Sequence, residues 1–440
     1  MTQPGVTSKG ELKMIKLYKG LEQALEAINT AKEQSTSETS DISDVVRNII
    51  DDVRKRKDEA LYEYCEKFDG VKLEKLLVSE AEIEEAVNAV PKDFITTLEM
   101  AKENITDYHK RQKRENYIIN EKEGVILGQR IIPLEKVGIY VPGGTASYPS
   151  SVLMNVIPAM IAGVTEIVMV TPCSKDGKVA DIILAAAKIA GVTKIFKVGG
   201  AQAIAALAYG TESIPRVDKI TGPGNAYVAT AKKMVYGIVD IDMMAGPSDI
   251  LVIADETANY RFVAADMLSQ AEHDEMSTAV LITDSETFAE EVRYEIEEQL
   301  KKLDREKIAR KSIDTNGKII VIKNMDEATY LSNEIAPEHL EIYTEDPFAL
   351  LNKVKNAGSV FLGENAPEAL GDYFSGTNHV IPTSGTARFA SPLGVDDFVK
   401  KSSFTYYTKE ALKEVKDRVI DFAEKEGLSA HAESVRIRFK

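Results

Sequence analysis

Between residues 139 and 221, short apolar segments alternate with helical segments, and glycines follow several of these segments. The apolar segments cover 139–141, 167–170, 195–198 and a short stretch near residue 220. The helical segments include one that ends at Gly163 and others at 180–190 and 201–209. Parallel strands need crossover connections, which are usually helices. The alternation therefore predicts a parallel sheet with helices on its faces.

A second run of the same kind follows after residue 249. Its predicted strands cover 250–253, 279–283, 319–322, 340–343 and 360–362, and its clearest helices cover 261–272 and 285–303. The first third of the chain, up to about residue 109, and the last segment, from about Val395, have helical patterns. The sequence thus predicts two α/β halves with helical extensions at both ends.

Composition excludes several classes of protein. The chain of 440 residues has a formal net charge of −16, whereas nucleic acids and anionic membranes are bound through basic patches. The longest apolar stretch, 152–164, is too short to span a bilayer, and the N-terminus lacks the pattern of a signal peptide. Two cysteines, Cys65 and Cys173, supply neither a disulfide framework nor a thiolate metal cluster. We expect a soluble cytoplasmic protein without a nucleic-acid or membrane partner.

The five histidines carry most of the functional information. His109 lies between lysine, arginine and tyrosine residues on a predicted helix, so we expect it to be exposed. Gln270 and His273 are one helical turn apart and point the same way, which suits two ligands of one ion. On this spacing alone, a surface helix end is the more common explanation of the pair.

Further polar residues lie near the other histidines. Asp372 and His379 share a glycine-rich segment, and Glu426 precedes His431 near the C-terminus. Loops of this kind often hold ligands. A metal site built from dispersed His, Asp and Gln would suit Zn²⁺ or a similar divalent ion. The residues alone leave open whether such a site exists.

Glu338 and His339 are adjacent at the entrance of a predicted strand. At that position both side chains can reach one cleft, and such a pair can divide acid–base work between water and substrate. A solvated loop pair is the alternative. Three glycine-containing turns, around residues 142–144, 199–200 and 222–224, follow predicted strands and suit an anionic ligand, although none is a G-x-G-x-x-G motif.

Together these segments resemble the histidinol dehydrogenase family from about Ser40 to the C-terminus. The most specific blocks are VGIYVPGG (137–144), VGGAQAIAALAYGTES (198–213), ITGPGNAYV (220–228), AGPSDILVIAD (245–255), LSQAEHD (268–274), APEHLEI (336–342), GDYFSGTNHVIPT (371–383) and GLSAHAESVRIR (427–438). The resemblance implies an NAD-dependent, four-electron oxidation of L-histidinol to L-histidine through an aldehyde, at the end of histidine biosynthesis, with one Zn²⁺ per subunit.

The resemblance also implies roles for individual residues. The implied zinc ligands are Gln270, His273, Asp372 and His431, which would also contact the substrate. His339 would be the general base and a substrate contact, and Glu338 would activate water for hydration of the aldehyde. Further substrate contacts would be Ser248, His379 and Glu426, and NAD would be held by Tyr140, Gln202 and Asn225.

The fold implied by the resemblance has two incomplete Rossmann-like domains, one inserted in the other. The inserted NAD-binding domain would cover 140–248, and the larger domain, with most of the catalytic site, 31–139 and 249–393. The segments 1–30 and 394–440 would be small helical extensions that intertwine in a homodimer and complete the partner's site.

Two other functions use the same residues. A zinc hydrolase would need the ligands and the Glu–His pair but neither NAD nor the glycine turns. An inactive protein that binds NAD or imidazole would keep the ligands without turnover.

Overall fold

The structure is a computed structural model of the chain, and it describes residues 14–35, 40–143, 147–243 and 246–440. Its strands form two parallel sheets and one small antiparallel sheet. Both runs of alternating strands and helices predicted from the sequence are present, each as one of the parallel sheets. The turn residue Gly144 lies outside the described residues.

The helices are α1 Leu21–Ser35, α2 Ser40–Arg56, α3 Asp58–Tyr64, α4 Glu80–Ala89, α5 Lys92–His109, α6 Pro149–Ala162, α7 Asp181–Ala190, α8 Gly200–Tyr209, α9 Ala226–Val235, α10 Tyr260–Ala271, α11 Glu286–Leu300, α12 Glu306–Thr315, α13 Met325–Ile335, α14 Pro347–Leu351, α15 Glu368–Tyr373, α16 Lys409–Lys425 and α17 Ser429–Arg436. The strands are β1 Lys16–Lys19, β2 Tyr117–Ile119, β3 Val125–Pro133, β4 Lys136–Tyr140, β5 Glu166–Thr171, β6 Lys194–Lys197, β7 Lys219–Thr221, β8 Asp240–Ile241, β9 Asp249–Ala254, β10 Thr278–Thr283, β11 Lys318–Val321, β12 His339–Tyr343, β13 Ser359–Leu362 and β14 Val399–Tyr407.

The first parallel sheet has five strands in the order β6-β5-β4-β7-β8. Successive side chains of a strand point to opposite faces, so Ile139 faces α6 and α7 while Tyr140 faces α2, α8 and α9. The chain runs outward from β4 to β6 and then returns to β7. This change of direction opens a crevice at the carboxyl ends of β4 and β7, where sheets of this type bind ligands.

The second parallel sheet has six strands in the order β1-β11-β10-β9-β12-β13. Its β9 residues Ile250 and Val252 pack against α10, α11 and α12, whereas Leu251 and Ile253 pack against α1 and α13. The edge strand β1 was not predicted from the sequence. It joins the sheet by parallel pairing with β11.

The third sheet corrects the prediction that the C-terminal segment is helical from about Val395. Residues 399–407 form β14, which pairs with β3 along its whole length, and β2 pairs with the other side of β3. The strand β14 is mostly exposed and begins with Val-Lys-Lys-Ser-Ser, so it has no apolar alternation to reveal it. Its conformation is set by a partner strand distant in sequence. The terminal segment is therefore not purely helical, and its helices α16 and α17 follow the strand.

No helix in the described part of the chain is long and apolar enough to cross a membrane. The division into domains at residues 139, 248 and 393 stays a prediction.

Candidate active site

Glu338 and His339 lie at the amino end of β12, next to Asp249 at the start of β9. Glu338 Oε2 accepts a hydrogen bond from the Asp249 amide at 2.9 Å, and Asp249 Oδ1 accepts one from the Glu338 amide at 2.8 Å. This reciprocal pair fixes the Glu338 carboxyl. Both Glu338 and His339 are buried.

The His339 ring is held at one nitrogen and left without a partner at the other. Its Nδ1 is 3.0 Å from Gln270 Nε2 and 3.1 Å from the Asp249 carbonyl oxygen, so it either accepts from the amide or donates to the carbonyl. Its Nε2 is buried and makes no hydrogen bond in the described part of the chain. Asp372 Oδ1, at 3.6 Å from Nε2, is too far for one. The ring thus presents a free nitrogen to the cluster of acids and histidines around it.

Neighbouring charges and burial shift the pKa values of Glu338 and His339 in opposite directions. Burial raises the pKa of Glu338 to about 8, although the neighbouring His339 opposes the shift. Burial lowers the pKa of His339, but the carboxylates of Glu368, Glu338 and Asp372 raise it more, to well above its usual range. A cation bound by Asp372 would offset part of this negative charge.

Gln270, His273 and Asp372 converge on the same cluster. Gln270 is fully buried at the end of α10, and its Oε1 has no hydrogen-bond partner among the described residues. Burial raises the pKa of Asp372, but the imidazoles of His339, His379 and His273 lower it more, which places His273 near the carboxylate. An unpartnered amide oxygen, a carboxylate and an imidazole are ligands that suit Zn²⁺. These residues fit a divalent metal ion.

Glu368 is a site residue that the sequence analysis missed. It lies one turn before Asp372 on α15 and is buried, with Oε1 3.9 Å from His339 Nε2. Glu368, Asp372 and His339 each have one possible ligand atom within 4.8 Å of those of the other two. Burial raises the pKa of Glu368 to about 7. The sequence signal that could have identified Glu368 is its spacing of one helical turn from Asp372.

The segment 371–379 is anchored by buried hydrogen bonds. The His379 Nδ1–H donates to the Asp372 carbonyl at 2.9 Å, which leaves its Nε2 free to accept. Asn378 Nδ2 donates to the Met154 carbonyl at 2.8 Å and lies 3.3 Å from His109 Nε2.

The expectation that His109 is exposed is therefore wrong: it is fully buried, and its other nitrogen donates to the Ile105 carbonyl. Its neighbours Tyr108, Lys110 and Arg111 are exposed.

The structure does not bring all of the predicted site residues together within one chain. Ser248 directly precedes β9 and so lies next to Asp249. Glu426, at the end of α16, and His431, on α17, are exposed. In the described part of a single chain, no hydrogen bond or ion pair joins either residue to the cluster around His339.

Tyr140, Gln202 and Asn225 line one cavity of about 860 Å³ at the carboxyl edge of the five-stranded sheet. The Gly200 amide donates to Tyr140 Oη at 3.1 Å, and Asn225 Oδ1 accepts from two amides at the start of α9. Gly222 has φ +114°, and a Cβ there would lie 2.0 Å from the Tyr140 carbonyl oxygen. The size and the helix N-termini at its edge fit a dinucleotide with a pyrophosphate group.

The chain also has close relatives. A family model described as histidinol dehydrogenase matches residues 32–439. The chain belongs to the histidinol dehydrogenase family. A histidinol dehydrogenase from Bacillus cereus is 57% identical over 424 residues, which are 96% of this chain and 99% of that protein. One from Listeria monocytogenes is 56% identical over 416 residues, 94% of this chain and 97% of the relative.

The fold agrees with a solved member of the histidinol dehydrogenase family. The crystal structure of histidinol dehydrogenase from Elizabethkingia anophelis is 39% identical, covers 98% of this chain and 99% of its own, and has a TM-score of 0.92. The family resemblance inferred from the sequence blocks is confirmed, and the protein is an oxidoreductase.

The two cysteines of this histidinol dehydrogenase family member are both buried. Cys65 packs in the core beneath α2 and α8, and burial raises the pKa of its thiol to about 12. Cys173 lies in the loop that follows β5. It is buried at the wall of the cavity that contains Tyr140, and burial raises its pKa as well. Neither thiol is set up to ionise.

Proposed function

We propose that this chain catalyses the NAD-dependent oxidation of L-histidinol to L-histidine through L-histidinal, the final steps of histidine biosynthesis. The observation that carries the proposal is the buried His339 ring, whose Nδ1 lies 3.0 Å from Gln270 Nε2 and whose unpartnered Nε2 lies 3.6 Å from Asp372 Oδ1. The dinucleotide-sized cavity at the edge of the five-stranded sheet supports NAD as the oxidant.

The ligands proposed for one Zn²⁺ per subunit are Gln270, His273 and Asp372, with His431 of the partner subunit. Bound zinc would polarise the substrate and orient it through its imidazole and amine. Ser248, His379 and Glu426 would contact the substrate beside the metal ligands. Two NAD molecules, held in turn by Tyr140, Gln202 and Asn225, would each accept one hydride, one in each oxidation.

In the proposed mechanism His339 and Glu338 have separate tasks. His339 Nε2 removes the proton from the substrate hydroxyl in the first oxidation and from the hydrated aldehyde in the second. Glu338 takes a proton from the water that adds to the aldehyde. The amide of Asp249 holds Glu338 Oε2, so that the carboxyl keeps its orientation during both steps. The carbonyl of Asp249 can likewise hold the His339 ring through Nδ1–H.

We further propose that the protein is a homodimer whose subunits share their active sites. The C-terminal unit, residues 394–440, exposes large apolar side chains to water, which is unfavourable. Among them are Tyr406, Phe422 and Ile437, which are 56%, 69% and 60% exposed. The same unit carries Glu426 and His431, which the single chain leaves away from the cluster. A second copy would cover this surface and receive these two side chains.

The direct test is the appearance of NADH when the purified protein, loaded with Zn²⁺, is mixed with NAD and L-histidinol. We expect two NADH per histidine formed, because each oxidation yields one. Protein treated with a chelator is the control, and activity should return with added Zn²⁺. A zinc hydrolase would act without NAD, and an inactive binding protein would give no NADH; either result would reject the proposed function.

A second prediction concerns the thiols. Enzymes that oxidise aldehydes through a thiohemiacetal need an accessible thiolate, whereas both thiols here are buried with raised pKa values. We expect the double variant Cys65→Ala, Cys173→Ala to keep its turnover number within a few-fold of the unmodified protein. Because Cys173 lines the cavity, the KM for NAD should be measured separately. Accumulation of L-histidinal by the variant would show that a thiol takes part.

A further inference from the structure

Asp69 lies at the cavity that we assign to NAD but comes from outside the five-stranded sheet. It is the last residue of a π-helical turn, Cys65–Asp69, that follows α3. Its Oδ2 is buried and has no hydrogen-bond partner among the described residues. Burial raises the pKa of this carboxyl. A buried carboxylate oxygen without a donor is costly, so the site favours a ligand that brings a hydroxyl to it.

The position of Asp69 relative to the sheet is informative. It lines the cavity together with Tyr140 at the end of β4 and Cys173 just after β5, so it lies near the carboxyl ends of β4 and β5. In dinucleotide-binding folds, an acidic residue near this place binds the ribose 2′-hydroxyl of NAD. Here the chain after β5 reads Pro172-Cys173 and has no acid at the strand end. Asp69 supplies a carboxylate there from another part of the chain.

The charges around the cavity disfavour a phosphate at this position. Three carboxylates line it, from Asp69, Asp176 and Asp181, and the lining residues that the structure describes include no arginine. The one lysine among them, Lys178, is paired with Glu85 at 2.9 Å. Sites for NADP usually provide an arginine for the 2′-phosphate.

We propose that Asp69 determines the dinucleotide specificity, accepting a hydroxyl of the adenosine ribose of NAD and repelling the 2′-phosphate of NADP. This inference rests on the proposed NAD-dependent function. Asp69 would contact the dinucleotide far from the reacting atoms, so its effect should fall on binding and on the choice of dinucleotide rather than on the turnover number.

The test compares NAD with NADP in the variant Asp69→Asn, which keeps the size of the side chain and removes its charge. Loss of a hydrogen bond to a charged group, together with loss of repulsion, should lower the ratio of kcat/KM for NAD to that for NADP by about tenfold or more. The turnover number at saturating NAD should stay within about twofold. Calorimetric titration of the Zn²⁺-loaded protein with NAD and with NADP should show the same change in relative affinity.

The matched control is Asp176→Asn. This carboxylate lines the same cavity, but its Oδ1 is already occupied by the Ser174 hydroxyl at 2.5 Å and the Lys178 amide at 3.1 Å. Its removal takes away one charge but no free hydrogen-bond acceptor, so it should lower the ratio by much less than Asp69→Asn does. Should Asp69→Asn not fold, Asp69→Ser carries the same expectation.

The outcomes separate the specificity proposal from the function proposal. If the unmodified protein oxidises L-histidinol with NAD but Asp69→Asn keeps the original ratio, Asp69 does not set specificity and the proposed function stands. Equal effects of Asp69→Asn and Asp176→Asn would also overturn the specificity proposal, because general charge would then explain the preference. If the unmodified protein neither binds NAD nor forms NADH, the proposed function itself fails.

Discussion

Replacing His339 by Asn should slow both oxidations, whereas replacing Glu338 by Gln should slow the oxidation of L-histidinal far more than that of L-histidinol. Loss of a general base typically costs about 10²- to 10⁴-fold in rate. His339 Nε2 is buried and unpartnered, so it is the atom that we propose as the proton acceptor of both oxidations. In the same proposal Glu338 acts only where water is activated.

The choice of replacements keeps the structure of the site. Glu338 Oε2 accepts the Asp249 amide at 2.9 Å, and the amide oxygen of a glutamine can do the same while being unable to act as a base. The measurement supplies L-histidinol and L-histidinal separately to each variant and follows NADH in a single turnover. Equal losses in both reactions for both variants would refute the division of labour. Thermal unfolding of the variants checks that rate losses do not come from unfolding.

The sequence predicted the elements whose signals are local. At the start of α4, Ser79 and Glu82 form a capping box, a pattern that their Ser-x-x-Glu spacing makes visible in the sequence, with Glu82 Oε2 accepting the Ser79 amide. The buried strands of both parallel sheets are apolar runs, and buried runs stand out in any sequence. The exposed strand β14 does not, because its conformation depends on pairing with β3, more than two hundred residues earlier.

The same physical difference separates the site residues that were predicted from those that were missed. Gln270 and His273 belong to one short motif, as do Glu338 and His339, so sequence blocks identify them. Glu368 became a candidate only when folding placed it 3.9 Å from the His339 ring. The prediction that His109 is exposed was wrong because it relied on the charged residues beside it in sequence. Those residues do not indicate that Asn378, in a loop distant in sequence, contacts the His109 ring.

The proposed active site draws residues from both parallel sheets, and therefore from both halves of the chain. Tyr140 and Asn225 lie at the carboxyl edge of the five-stranded sheet, and the chain passes from β8 directly into β9. The residues that would handle protons lie at the amino ends of β9 and β12, which is not where an open α/β sheet usually binds its ligand. In the proposed function, the six-stranded sheet would supply the proton-handling groups and the five-stranded sheet would hold the dinucleotide.

The largest expected effect comes from the shared site. His273→Asn and His431→Asn should each be nearly inactive, because each removes a proposed ligand of the metal ion. The charges of His273 and Asp372 influence each other within one chain, whereas His431 is exposed on α17 and makes no hydrogen bond or ion pair to that cluster within the described chain. If His431 completes the site of a partner, the two defects can complement each other.

The experiment co-expresses the two variants with different affinity tags and isolates the heterodimer. In a heterodimer, one site contains both defects, while the other combines the intact cluster of the His431→Asn chain with the intact tail of the His273→Asn chain. Random pairing makes about half of the dimers mixed, and each mixed dimer has one good site of two. The unfractionated mixture should therefore recover about a quarter of the activity of the unmodified protein, and the purified heterodimer about half. A heterodimer that binds no more Zn²⁺ than either parent variant and stays inactive would show that His431 acts within its own chain, since both defects would then remain in separate, incomplete sites.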